Sequence, residues 1–245
     1  MDCYNPAMRK IVKHAAGTFC YVELATTGQN QAKQFYSGLF GWSVEDVPMG
    51  PGMVYTTFRQ DGLIAAAASQ MSEKERASFP AHWHLYIAVE SADAAAKRAV
   101  ELGGTLIEGP FDVAEHGRMG VLQDPAGAYF SIWEARKSIG IEIADAAGTL
   151  CWADLVTRKP EVAREFYQGL FGWEIATGQQ MNNPYLPPHW MIYFAVDDVD
   201  AAAAKVVELG GKVLFGPVTM ENVGRIAVVA DGQGAAFSVF KLGRG

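Results

Sequence analysis

Residues 16–42 read AGTFCYVELATTGQNQAKQFYSGLFGW, and residues 147–173 read AGTLCWADLVTRKPEVAREFYQGLFGW. The two stretches align without a gap at an offset of 131, and 14 of their 27 positions are identical. Similarity at a fixed offset over this length indicates an internal duplication, and a duplication constrains the fold before any local pattern does.

A second pair of segments extends the duplication. Residues 82–133 match residues 189–240 at an offset of 107, which is 24 less than the first offset of 131. The second copy therefore lacks 24 residues between Trp173 and His189. The sequence predicts four modules in two tandem halves, with the third module shortened.

Composition narrows the class of protein. The chain has 245 residues, half of them hydrophobic, and a net charge of −7 without a basic run. Nucleic acids and anionic membranes are therefore not expected as partners. No apolar run approaches the roughly 18 residues of a membrane span, and the first residues lack a signal-peptide pattern, so we predict a cytoplasmic protein.

Local patterns predict the same order of elements, βαβββ, in each of the first two modules. The first helix shows apolar residues at helical spacing, and Gly41 ends it. Residues 70–81 and 135–146 are expected to be connectors. The predicted helices span 29–40 and 92–102, and the predicted strands span 19–25, 43–47, 54–59, 63–69, 84–89, 105–107, 119–123 and 129–133.

Alternation along the strands predicts which side chains share a face. Trp83, Leu85 and Ile87 are apolar and should face the helices, whereas His84 and Tyr86 should face the other way. In the first strand, the same rule places Cys20, Val22 and Leu24 towards the helices and the side chains of Tyr21 and Glu23 on the opposite face. A sheet with helices on one side and polar aromatic residues on the other suggests a cup around a pocket.

Two motifs recur with this pattern: FYxxLFGW after the first helix of each half, and Asp124-Pro125-Ala126-Gly127 before the last strand of the first half. With the paired βαβββ modules, they resemble the vicinal-oxygen-chelate superfamily of glyoxalase I, bleomycin-resistance proteins and extradiol dioxygenases. The tandem form resembles a subgroup of unassigned activity. The resemblance implies an α+β fold in which paired βαβββ modules form cupped mixed sheets with helices outside.

In that superfamily, inward His, Gln or Glu side chains hold a divalent metal. The corresponding positions are Tyr21, His84 and Ser131 in the first half, and Trp152, Met191 and Ser238 in the second. Only His84 is of a ligand type, so the resemblance implies that the metal site is largely lost, and no cofactor is expected.

An alternative keeps a metal at a shifted site. His82 and His84 lie two apart on one strand face, and with Glu23 they would supply two imidazoles and a carboxylate. The protein would then be a lyase, isomerase or dioxygenase with His84 and Glu23 as catalytic residues. Against this, His189 repeats His82 in the half that lacks the other ligands, which favours a structural role for His82.

Glu23 and Asp154 occupy equivalent positions in the two copies, and we call such residues repeat mates. Both are inward carboxylates on apolar strands and need partners. Arg118 and Arg225, which are also repeat mates, are the expected partners, and each pair would close one cup. The alternative interpretation makes Glu23 a general base in a pocket.

The first half carries the residues expected to bind a ligand. Aromatic walls with a few polar groups suit a small aromatic or polar-aromatic molecule, although the rings could instead simply fill the cup. The second half has Met191 and Ala236 at the positions of His84 and Tyr129, which places the site in the first cup. The candidate ligand-binding residues are Tyr21, Glu23, His82, His84, Tyr86, Tyr129, Ser131 and Trp133.

The shortened module leads to a prediction about assembly. We expect an N-terminal extension over 1–16 and two domains over 17–137 and 148–242. The strand left near 173–177 should run parallel to the strand near 152–156. The second cup would then be open on one side, and covering it predicts a homodimer or close packing of the two halves through that side.

Overall fold

The computed structural model describes residues 10–50, 52–174, 179–180 and 186–243. The first half contains eight strands and three helices in the described residues. Its elements are β1 (Phe19–Thr26), α1 (Gln29–Phe40), β2 (Ser43–Gly50), β3 (Met53–Gln60), β4 (Leu63–Gln70), α2 (Glu73–Ser78), β5 (His82–Ala88), α3 (Ala92–Glu101), β6 (Thr105–Val113), β7 (Gly117–Gln123) and β8 (Tyr129–Ala135).

The second half repeats this order with fewer strands among its described residues. Its elements are β9 (Leu150–Thr157), α4 (Pro160–Phe171), β10 (Gln179–Gln180), β11 (His189–Ala195), α5 (Val199–Glu208), β12 (Lys212–Met220), β13 (Gly224–Ala230) and β14 (Ala236–Leu242). Gly41 and Gly172 end α1 and α4 in the left-handed conformation, as the repeated glycine predicts.

Each half forms one mixed sheet. The first has the order β2-β3-β4-β1-β5-β8-β7-β6, and the second has the order β10-β9-β11-β14-β13-β12. Within each complete module, the last strand runs parallel to the first, and the two modules of a half meet where β1 pairs antiparallel with β5, or β9 with β11. The predicted α+β class with two mixed sheets is confirmed.

The helices lie on the face opposite the cups. Trp83, Leu85 and Ile87 of β5 are buried on the helix-bearing face, as their alternation predicts. Cys20 is an exception to the prediction. A register shift between Phe19 and Tyr21 lets Cys20 pack with the cup residues Tyr86 and Trp133 instead of with Val22 and Leu24.

One helix of each half packs against the other half, and each of these two contacts contains a hydrogen-bonded cluster. In the first, Tyr36 on α1 donates to Asp231 of the second half at 3.0 Å and accepts from Trp83 Nε1 at 3.1 Å. In the second, Tyr167 on α4 donates to Asp124 of the first half at 3.0 Å and accepts from Trp190 Nε1 at 3.1 Å. We call these the Tyr36 clamp and the Tyr167 clamp.

The third module keeps one short strand after its helix among the described residues. β10 pairs parallel with β9 at Val156 and Thr157, so it occupies the place that β4 takes beside β1. The predicted parallel pairing is therefore observed, but at 179–180 instead of 173–177. Residues 173 and 174 are not in a strand, and 175–177 lie outside the described residues.

The connector expected over 70–81 contains a helix. Ser72 caps α2 by accepting from the Glu75 amide, while the Glu75 side chain accepts from the Ser72 amide. This capping box is readable in the sequence as Ser-x-x-Glu, a signal that the prediction overlooked. None of the helices in the described part of the chain is long and apolar enough to span a membrane.

Candidate functional site

The inner face of the first sheet places Glu23 at the centre of a cluster of hydroxyl groups. Ser69 on β4 donates to Glu23 Oε1 at 2.7 Å, and Tyr86 on β5 donates to Oε2 at 2.9 Å. The hydroxyl of Tyr55 on β3 lies 3.2 Å from both Glu23 Oε2 and the Tyr21 hydroxyl. We call Tyr21, Glu23, Tyr55, Ser69 and Tyr86 the Glu23 network.

The Glu23 network keeps its phenols protonated. Burial, followed by the charge of Glu23, raises the pKa of Tyr55 and Tyr86 well above the usual tyrosine value, and burial also raises the pKa of Tyr21. At neutral pH all three side chains are therefore neutral phenols. Tyr55 and Tyr86 lie within hydrogen-bonding distance of the Glu23 carboxylate, and Tyr21 contacts Tyr55.

The prediction that Arg118 and Arg225 form ion pairs with the inward carboxylates is wrong. Arg118 forms ion pairs with Asp93 and Asp112. Arg225 forms an ion pair with Asp200. Arg118 is the second residue of β7, which β5 and β8 separate from β1 in the sheet. Its side chain reaches the start of α3 and strand β6 instead of the cup.

His84 lies beside the Glu23 network and bonds to the last strand. Its Nε2 is 2.8 Å from Ser131 Oγ, and its ring centroid is 5.2 Å from that of Tyr86. Burial, followed by the charge of His82, lowers the pKa of His84 to about 3. The imidazole is therefore neutral at physiological pH and can exchange a hydrogen bond with Ser131 or with a ligand.

The second half lacks the equivalent of the hydrogen-bonded pair of His84 and Ser131. Met191 occupies the position of His84, and the hydroxyl of Ser238, the mate of Ser131, is buried without a hydrogen-bond partner among the described residues.

The remaining candidate residues lie at two edges of the first cup. His82 and Tyr129 both contact Phe79, which follows α2, with ring centroids 5.9 and 5.4 Å away. His82 Nδ1 lies 2.8 Å from the Pro80 carbonyl oxygen. Trp133 donates from Nε1 to the Ser138 carbonyl at 2.9 Å. The structure therefore brings together Tyr21, Glu23, Tyr86, His84 and Ser131, and leaves His82, Tyr129 and Trp133 around them.

The donor set of the first cup does not fit the divalent metal that the resemblance implies. Two of the three family positions carry the hydroxyls of Tyr21 and Ser131, and Glu23 is already held by hydroxyl donors. Among the residues that the structure describes, no three His, Cys, Asp or Glu side chains are grouped to hold a metal ion. His82, His84 and Glu23 are thus not assembled as a three-ligand site.

The second half contains a cavity. Its volume is about 570 Å³, and it is bounded by inward residues of β9, β11, β13 and β14. Its aromatic wall consists of Trp152, Tyr193 and Phe240, the repeat mates of Tyr21, Tyr86 and Trp133. The sequence prediction placed a ligand site in the first cup and gave this half no site.

Tyr55 and Ser69 are site residues that the sequence analysis missed. They lie on β3 and β4, and the register pairs Tyr55 with Ser69 and Glu23 with Ala67. The hairpin signal at residues 60–62 predicted the two strands but not which of their side chains face the cup. Their alternation, read from the register of β1, would have identified both.

Comparison with known proteins agrees with this architecture. Residues 16–132 and 176–239 match the family model described as the Glyoxalase/Bleomycin resistance protein/Dioxygenase superfamily. The chain belongs to this superfamily.

Two curated relatives and two solved structures are similar to this chain. The chain is 39% identical to a putative glyoxylase, CFP32, of Mycobacterium tuberculosis, over 96% of this chain and 98% of that one. It is 34% identical to the anthracycline biosynthesis protein DnrV of Streptomyces peucetius, over 96% and 97%. The fold is similar to that of a Mn(II)-bound glyoxalase from Novosphingobium aromaticivorans, with a TM-score of 0.63 and 14% identity, covering 95% of this chain and 82% of that one. It is also similar to that of the 2,3-dioxygenase LapB from Pseudomonas sp. KL28, with a TM-score of 0.64 and 12% identity, covering 97% and 94%.

Proposed function

We propose that the protein binds a small molecule with an aromatic ring and a hydrogen-bonding group in its first cup. The observation that carries this proposal is the Glu23 network, in which one carboxylate and three protonated phenols meet on an aromatic wall. A ligand hydroxyl or amine can replace one of the internal donors to Glu23, while its ring packs against Tyr21 or Tyr86.

Two observations favour binding over metal-dependent catalysis at this face. Hydroxyl groups occupy positions where the superfamily has metal ligands, and His84, with a pKa of about 3, is a weak base at neutral pH. The role of His84 in this proposal is to orient a polar group of the ligand together with Ser131.

The proposal is tested with catechol as a probe and toluene as its hydrocarbon control, using ligand-observed NMR. We expect catechol to bind the wild-type protein more tightly than toluene, since only catechol can donate to Glu23. Glu23→Gln should weaken catechol binding by about tenfold, because it removes the charged acceptor to which the catechol hydroxyl donates. Met191→Ala, at the mate position of His84, should leave catechol binding unchanged.

Either of two results would overturn this proposal. One is catechol binding that Glu23→Gln leaves intact and Met191→Ala abolishes. The other is stoichiometric Zn, Ni, Mn or Fe in the purified protein that disappears in His84→Ala, because that would establish a metal centre at the first cup.

The homodimer and the cytoplasmic location stay predictions. Trp152 on the open side of the second cup is 57% exposed, which is the kind of surface that the homodimer was predicted to cover. The two halves meet through their helix-bearing faces, so the half-to-half contact leaves this side of the second cup uncovered.

A further inference from the structure

We propose that the cavity of the second half is a separate binding site for an uncharged, flat aromatic molecule. This inference goes beyond the proposed function, because it concerns the other cup and a ligand held by its rings instead of by a hydrogen bond to a carboxylate. It rests on a comparison of the cavity lining with the same positions in the first half, on the exposure of its aromatic wall and on the burial of its titratable groups.

The lining of the cavity repeats a packed apolar cluster of the first half. The members of that cluster on β1, β5 and β8 are Cys20, Tyr21, Tyr86, Ala88 and Trp133, and two further members lie on β6 and β7. The repeat mates of all seven residues border the cavity. The mates of the five named residues are Cys151, Trp152, Tyr193, Ala195 and Phe240. The same positions thus form a packed cluster in one half and the wall of a cavity in the other.

In the first half, the chain segment that follows β8 packs against this cluster. The Ile141 amide donates to the Cys20 carbonyl oxygen at 2.8 Å, and Trp133 Nε1 donates to the Ser138 carbonyl oxygen at 2.9 Å. Gly140 approaches so closely that a Cβ atom there would overlap the Cys20 carbonyl oxygen. Residues 138–141 therefore cover the cluster of the first half, whereas the corresponding wall of the second half borders a cavity of about 570 Å³.

The exposed aromatic wall is suited to a flat ring system. Trp152 is 57% exposed, whereas its mate Tyr21 contacts the Tyr55 hydroxyl. Trp152 and Tyr193 are direct partners across β9 and β11, so their side chains stand next to each other on one face. Tyr193 in turn packs edge-on against Phe240, with ring centroids 6.2 Å apart. A flat aromatic molecule that stacks on the indole ring would remove this apolar surface from water.

The buried titratable groups of the lining favour a ligand without charge. Burial raises the pKa of Asp145 above the usual aspartate value. Burial, followed by the charge of Asp145, raises the pKa of the Cys151 thiol to about 12. Surroundings that oppose the ionisation of these two side chains also penalise the transfer of a charged ligand from water. Asp154, Asp197 and Lys241 border the cavity as well, so the test compares ligands of each charge.

The size of the cavity agrees with a ligand of this class. Its volume of about 570 Å³ falls within the range of about 300–1,000 Å³ that is typical of small-molecule sites. The exposed side chains of Met220, Val223 and Leu242 also border it and would cover further apolar area of a bound molecule.

The test uses three fluorescent molecules of similar shape, each with three fused rings. They are the uncharged 9-anthracenemethanol, the anion 9-anthracenecarboxylate and the cation 9-aminoacridine, and each is titrated into the full chain by fluorescence and calorimetry. We expect 9-anthracenemethanol to bind with one-to-one stoichiometry and both charged molecules to bind at least about tenfold more weakly.

Two substitutions at Trp152 test the role of the aromatic wall. Trp152→Ala should weaken 9-anthracenemethanol binding by about tenfold, because it removes the ring on which the ligand stacks. Trp152→Phe keeps a flat ring and should retain most of the affinity. Since Trp152 is exposed, both variants should fold, and urea denaturation checks that they do.

The matched control is Glu23→Gln in the first cup, which should leave 9-anthracenemethanol binding unchanged. Trp152→Ala should in turn leave catechol binding unchanged, so the failure of one proposal is distinguishable from the failure of the other. Equal binding of the three fluorescent molecules, or an affinity for 9-anthracenemethanol that Trp152→Ala does not change, would overturn the inference. So would a dimer that Trp152→Lys dissociates and that binds none of the three, because the second copy would then occupy this face.

Discussion

His84 shows how burial sets the chemistry of a single residue. Its pKa falls from an ordinary value near 6.5 to about 3, mainly because the folded protein desolvates the charged imidazolium. Between these two values the unfolded chain binds a proton that the folded protein excludes. The free energy of unfolding therefore falls as the pH drops from about 6.5 towards 3, and above about 6.5 His84 makes no contribution to its pH dependence.

His84→Gln should make the protein less sensitive to acid. Glutamine keeps a hydrogen-bonding group near Ser131 but does not titrate, so urea unfolding between pH 6.5 and 4 should show a smaller loss of stability than the wild type shows. The slope with pH, and not the absolute stability, is the informative quantity. The prediction would be contradicted if the His84 imidazole of the wild type titrated near pH 6.5 by NMR. It would also be contradicted if the stability of the wild type and of His84→Gln fell with the same slope between pH 6.5 and 4.

The residue scale also shows what the sequence could not specify. An inward carboxylate at position 23 was predicted correctly, as was its need for partners, because buried carboxylates are costly without them. Its partners were assigned to Arg118 by repeat symmetry, but Asp93 and Asp112 bind that arginine at the surface. The true partners are hydroxyls on β3, β4 and β5. Tyr55 and Ser69 were missed because the alternation of β3 and β4 was not aligned with that of β1, which decides the face on which each side chain lies.

At the scale of elements, the clamps explain two sequence motifs at once. Asp124 accepts from the amides of Ala126 and Ala128 in its own turn and from Tyr167 of the other half. The tyrosine of FYxxLFGW and the aspartate before the last strand are therefore two ends of one contact between the halves. The sequence analysis identified both motifs but used them only for the resemblance.

Removing either clamp hydroxyl should destabilise the protein. Tyr36→Phe and Tyr167→Phe each leave a buried aspartate with one donor fewer, at a cost of about 1–3 kcal/mol in the free energy of unfolding. Tyr129→Phe at the rim of the first cup is the control and should change stability by less than about 0.5 kcal/mol. Urea denaturation measures all three variants, and equal stabilities would show that the clamps carry no such energy.

Local patterns predicted the long elements well and the short ones poorly. α1 was predicted with its observed bounds because its apolar spacing and the glycine at its end agree. The six-residue helix α2 was missed because its only strong signal is a capping box. β10 was placed some residues too early, since a strand of two residues has no alternation to read and its position depends on pairing with β9.

At the scale of the whole molecule, the duplication predicted the fold class, the two sheets and the parallel strand of the third module. It did not predict that each half would supply a helix to the other, because repeat symmetry is the same whether α1 packs on its own half or on both. Phe35 and Tyr36 contact Phe237, while Phe166 and Tyr167 contact Phe130. One buried cluster accordingly contains residues of all four modules.

This shared core predicts that the two halves unfold together. A half on its own would expose the aromatic side chains that its partner's helix covers, and it would leave Asp124 or Asp231 buried without a tyrosine donor. The predicted boundaries at 137 and 148 would then divide the sequence repeats but not the folding units. Calorimetry of the full chain should show one transition whose van't Hoff and calorimetric enthalpies agree. Residues 1–146 expressed alone should lack a cooperative transition and regain it when mixed with residues 147–245. Two separate transitions in the full chain, or a cooperatively folded first half alone, would show that the helix contacts join two domains that are stable by themselves.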